Sequence, residues 1–149
     1  MAMLDDPQRC VALWRHLALA PGRTLGTLQR GRKHEYIVLT AAATVAFEAG
    51  ETYAESDVNL ALERWLAGPG AMLATDRVEL RRALIDCRLL ERDAYGKSYR
   101  RALAAPADWR VALATLEGVD LAAEAEGARA ADAHVRAERK ARWMQAAAG

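Results

Sequence analysis

Between Gly50 and Arg101 the apolar residues change their spacing, and that change constrains the fold more than any other feature of the chain. Val58, Leu62, Trp65 and Leu66 recur at the interval of one helical face. Gly68-Pro69-Gly70 ends that run, because two glycines around a proline do not continue a helix. Thr75-Asp76 supplies an N-cap with an acid at the start, so a further helix is expected from there to about Arg88. Leu89–Asp93 and Ser98–Arg101 then read as two short strands across Ala94-Tyr95-Gly96-Lys97, where Gly96 supplies the positive φ such a turn often needs.

The flanks of this stretch are helical. Cys10, Leu13, Trp14 and Leu17 mark one face of a helix that Asp6-Pro7 opens and Pro21-Gly22 closes. Thr24 to Arg30 adds a turn or two. From Glu35 to Ala49 the chain is apolar almost all round, which predicts a central helix with Gly50 at its C-terminus. Beyond Pro106, Trp109, Ala112, Leu113 and Leu116 mark another amphipathic helix. Residues 120–148 are alanine-rich, with Asp132/Arg136 and Glu138/Arg142 as i, i+4 pairs. Only Leu121, Val135, Trp143 and Met144 are large and apolar there, which predicts an arm on the domain or on a second subunit. The expected fold is mainly α with a small β-hairpin: a winged helix-turn-helix core at 32–104, an N-terminal helical extension at 1–31 and a C-terminal helical arm at 105–149.

The 149 residues carry a formal net charge of only +1, so composition alone argues for no polyanionic partner. The distribution says more. Residues 76–101 hold eight basic and five acidic side chains, whereas residues 35–75 hold six acidic ones and a single Arg64. A basic face is compatible with a neutral total. Cys10 and Cys87 are expected as buried free thiols in a reducing cytoplasm, and no run approaches the roughly 20 apolar residues of a membrane span.

The segment from about Arg32 to Arg101 resembles a bacterial winged-helix family, the domain of unknown function 2087. Its pattern G-x-x-Y-x-E-x-x-V-N falls on Gly50, Tyr53, Glu55, Val58 and Asn59. L-R-R-x-L-x-D-x-x-L-L-x-R follows at Leu80, Arg81, Arg82, Leu84, Asp86, Leu89, Leu90 and Arg92, then Gly96 and Tyr99. The stretch Ala67 to Ala74 is longer and richer in glycine than that pattern. The resemblance implies a winged helix, and some members look like companions of regulatory helix-turn-helix domains. It implies no catalytic residues.

The candidate chemistry is recognition of duplex DNA. Arg77, Arg81 and Arg88 fall along one stripe of the expected recognition helix, where arginines read guanine edges or hold phosphates. Arg82 belongs to the same helix, and Lys97, Arg100 and Arg101 to the wing, with Tyr95 at its tip. Arg32 and Lys33, next to Arg30, are candidates for tracking the backbone beside the wing. Glu79 and Asp86 oppose phosphate, and apolar residues on two sides of the helix (Leu80, Ala83, Leu84 and Cys87; Val78, Ile85 and Leu89) suit a protein partner instead. Glu55 is expected to cap its helix and Asn59 to bond to the preceding turn, with a ligand pocket at Tyr53, Asn59 and Tyr99 as the alternative.

Signatures of catalysis are missing from the sequence. His16, His34 and His134 lie in separate segments without metal-ligand spacing, and neither a phosphate-binding loop nor a nucleophile elbow occurs. The expectation is a DNA-binding regulator without catalytic residues, metal or cofactor, homodimeric through its terminal helices. The alternative is a winged-helix module for protein interaction or dimerisation, with Ile85 or Val78 buried by the partner.

Overall fold

The computed structural model describes residues 4–149. Its centre is α3 (Lys33–Thr44), in which every residue from Glu35 to Thr44 is buried. A helix with no polar face is stable only when neighbours surround it, and α1 (Pro7–Ala18), α2 (Leu25–Gly31) and α6 (Arg110–Glu117) do so. Asp6 caps α1 with Pro7 in its first turn, and Thr24 caps α2. The threonines and Trp109 brought into the core are bonded there, whereas the buried Trp65 indole N–H has no hydrogen-bond partner among the described residues. Thr40 and Thr44 donate to the carbonyls of Tyr36 and Thr40, each at 2.8 Å, and the Trp109 indole N–H donates to the Thr40 hydroxyl at 2.9 Å. Glu35 is buried against the guanidinium of Arg23, with His16 and Arg32 at 3.7 and 3.8 Å.

α3 stops at Thr44, five residues short of the Ala49 expected from its composition. The backbone tightens into i→i+3 bonds at Ala46 and Phe47. Phe47 then turns into the core, edge-on to Tyr53 at 5.2 Å. Gly50, at φ 86, therefore serves the turn that follows instead of capping the helix.

Next come β1 (Tyr53–Ala54), α4 (Glu55–Ala67), α5 (Arg77–Asp86), β2 (Leu90–Arg92) and β3 (Ser98–Arg101). The strands form an antiparallel sheet ordered β1-β3-β2, with Tyr53 opposite Tyr99 and Leu90 opposite Arg101. Helix, strand, two helices packed on each other and a hairpin whose last strand sits mid-sheet make a winged helix. The glycine-rich linker between α4 and α5 has its own anchor. Gly22 and Ala74 donate to Met72 and Arg23 across the loop that joins α1 to α2, and Gly70 lies directly against the Trp65 ring.

α7 (Leu121–Ala148) begins on the core and leaves it. Asp120 caps its first turn, and the buried Trp14 indole N–H donates to the Leu121 carbonyl at 3.0 Å. Arg15 of α1 pairs with Glu124 at 2.7 Å. Beyond Ala125 no residue of α7 is buried. Asp132 pairs with Arg136 as expected, but Glu138 meets His134 at 3.0 Å instead of Arg142, since it has an i−4 neighbour as well as an i+4 one.

Candidate nucleic-acid interface

The candidate surface comprises α5 and the hairpin that follows it. Asp76 caps α5 by accepting from the Glu79 N–H at 2.8 Å, and Leu80 and Leu84 bury one face against the core. The opposite face is open and carries Val78, Glu79, Arg82 and Asp86. Its net charge is not positive, so apart from Arg82 the cations that could meet a polyanion come from the ends of the helix and from the wing.

α5 ends at Asp86, and the expected extension to Arg88 is not observed. Leu89 donates to the Leu84 carbonyl and Arg88 to that of Ile85, both at 2.9 Å, closing the helix with Arg88 in the left-handed region at φ 60. Glycine normally occupies this position, and burial of both Leu84 and Leu89 completes the motif. Arg88 therefore leaves the helical stripe it was expected to share with Arg77 and Arg81. It projects instead from the junction of α5 and β2, exposed and without an ion-pair partner among the described residues.

The other predicted site residues divide by their contacts. Arg81 keeps only 17% of its side chain exposed; it donates to Asn59 at 2.5 Å and pairs with Glu55 at 3.2 Å. It joins α4 to α5. That changes the reading of its partners, since α4 has no side-chain cap and Glu55 and Asn59 both hold the arginine. A charge-assisted bond is stronger than a neutral cap, which accounts for the preference. Arg101 is also structural: with 12% of its side chain exposed, it donates to the Phe47 carbonyl at 3.1 Å and pairs with Glu117 of α6. Arg77 pairs with Glu63 and Arg100 with Glu91, all about half exposed. Exposed pairs of this kind are worth about 0–1 kcal/mol and exchange readily for a phosphate.

Arg82 and Lys97 are exposed and without ion-pair partners among the described residues. The wing turn that presents Lys97 is fixed by Asp93, whose carboxylate accepts the Lys97 N–H at 2.8 Å, and by Gly96 at φ 69. These backbone bonds, Lys97's above all, hold the Asp93 carboxyl below its ordinary pKa. Tyr95 at the tip is 84% exposed. At the N-terminal end of α3, Lys33 pairs with Asp108 at 3.4 Å and Arg32 lies 3.8 Å from Glu35. Both keep more than half of their side chains exposed.

One candidate escaped the sequence reading. Arg92, at the end of β2, is exposed and lines a recess of about 350 Å³ with Thr52, Glu91, Asp93, Ser98, Tyr99 and Arg100. Its position beside the hairpin turn was the available signal.

A family model described as an uncharacterized protein conserved in bacteria, DUF2087, matches residues 24–101. That is just over half of the chain and takes in α2 through β3. The chain belongs to the DUF2087 family. No curated protein and no solved structure matches it. The DUF2087 segment thus contains the helix-turn-helix and wing, whereas α1, α6 and α7 lie outside it. Among the described residues no helix is long and apolar enough to cross a membrane.

Proposed function

We propose that this DUF2087 protein is a cytoplasmic DNA-binding regulator that holds duplex DNA between α5 and the wing. The observation that carries the reading is the set of exposed, unpaired cations Arg82, Arg88 and Lys97 along the outer side of α5, its junction with β2 and the wing turn. Arg77, Arg92 and Arg100 flank them as further phosphate contacts, and Tyr95 is free to stack or insert at the tip. Arg81 and Arg101 position the surface and do not touch DNA. Glu79 and Asp86 limit how deeply α5 enters a groove, so phosphate contact outweighs base reading in this arrangement.

The test is fluorescence anisotropy with a labelled duplex. Arg82→Ala/Lys97→Ala should lower affinity about tenfold or more at low salt while the melting temperature stays within a degree or two. Unchanged affinity in a folded variant would remove α5 and the wing as the contact surface.

A protein-interaction role for the same face is favoured by one observation: Val78 is 37% exposed, on a face that also carries Glu79 and Asp86. A partner bound there would be lost on Val78→Glu, a safer probe than Ile85, which packs partly against the core.

A further inference from the structure

Beyond Ala125 no residue of α7 is buried among the described residues, and the charges along this helix are not evenly spread. Residues 120–132 hold four acidic side chains and one basic; residues 133–149 hold four basic and one acidic. At 100° per residue, Val135 and Trp143 fall close to the stripe that Leu121 and Ala125 bury against the core. Past the core that stripe is open: Val135 is 41% exposed, Trp143 72% and Met144, further round the helix, 54%. Beside the point where α7 leaves α1 runs a groove of about 430 Å³, with an apolar floor of Ala18, Leu19, Pro21 and Met72 and with Arg129, Asp132 and Arg136 of α7 along its side. Along this helix, then, the acidic half runs past a groove with an apolar floor, and the basic half carries the unburied apolar residues.

We propose that α7 pairs antiparallel with α7 of a second copy of this chain, each distal half lying along the acidic half and groove of the other. Antiparallel order sets Arg136, Arg139, Lys140 and Arg142 against Glu126 and Asp132; parallel order would stack like charges over both halves. Trp143 and Val135 supply the apolar seam, with Arg139 between them on the same stripe. A two-fold axis makes both contacts at once, the self-complementary geometry of a symmetric dimer. The proposal does not rest on nucleic-acid binding and is tested without it.

The full-length chain is examined by sedimentation velocity across a concentration series. The expected result is a monomer–dimer equilibrium that weakens as salt rises. Trp143→Ser should be monomeric with an unchanged circular-dichroism melt. Arg139→Glu/Arg142→Glu and Glu126→Lys/Asp132→Lys should each be monomeric alone and dimerise when mixed, and a chain carrying all four changes should dimerise with itself. A wild type that stays monomeric at every concentration overturns the proposal. So does a dimer that survives both Trp143→Ser and the basic-to-acidic change, or reversed chains that do not recombine.

Discussion

At the scale of single residues, several positions are explained by one contact each. A Cβ on Gly70 would stand 2.1 Å from Cζ3 of Trp65, whose ring is 4% exposed and also packs on Trp14. Gly70→Ala should therefore cost about 1–3 kcal/mol, as overpacking does, and appear as a lowered denaturant midpoint with an unchanged slope. Arg88 is the opposite case, a side chain kept where the backbone favours its absence. A left-handed residue with a Cβ costs about 1–2 kcal/mol. Arg88→Gly should raise stability by about 1 kcal/mol in the same titration and weaken DNA binding; a loss of stability would mean that the side chain has a structural role. Arg81 and Arg88 also show why site residues are hard to choose from sequence. Both are visible as basic residues near one helix, but a half-buried partner 22 positions away and a helix end two residues early decide their roles.

At the scale of elements, period and caps were legible and endpoints were not. The apolar run of α3, the Asp76 cap of α5, the pairing of the two hairpin strands and the positive φ of Gly96 all follow from the sequence. The ends of α3 and α5 do not, because Phe47 and Leu89 are drawn into the core by tertiary packing that local spacing does not encode. The seam between these two helices has a pH signature. Cys87 Sγ lies 3.5 Å from the Tyr36 hydroxyl, and burial, more than that bond, pushes the Tyr36 pKa up. Burial likewise raises the thiols of Cys87 and Cys10. For acids raised by folding, the native state holds protons that the unfolded chain releases. The stability they contribute is full below their ordinary values of 9.0 and 10.0 and is lost as pH rises beyond them. Thermal melts from pH 8 to 11 should show a steady decline starting near pH 9. Tyr36→Phe should flatten part of that decline, and an unaltered profile would remove the seam as its source.

At the scale of the whole molecule, the DUF2087 segment supplies the winged helix and the flanking helices close its core and carry the arm. A neutral total charge conceals this division, since the cations of α5 and the wing stand apart from those of the distal arm. The sequence indicated an arm with few large apolar residues, but which of them stay exposed depends on where α1 ends beneath α7. The proposed DNA binding depends on the first of those two basic surfaces. The decisive measurement is the affinity of the wild-type protein for a random-sequence duplex across a salt series. Contact through Arg82, Arg88 and Lys97 predicts a log–log slope of about −3 per chain, near −0.9 for each phosphate neutralised, steepening toward about −5 with the flanking Arg77, Arg92 and Arg100. Binding that is absent at low salt, or that does not change with salt, would contradict it.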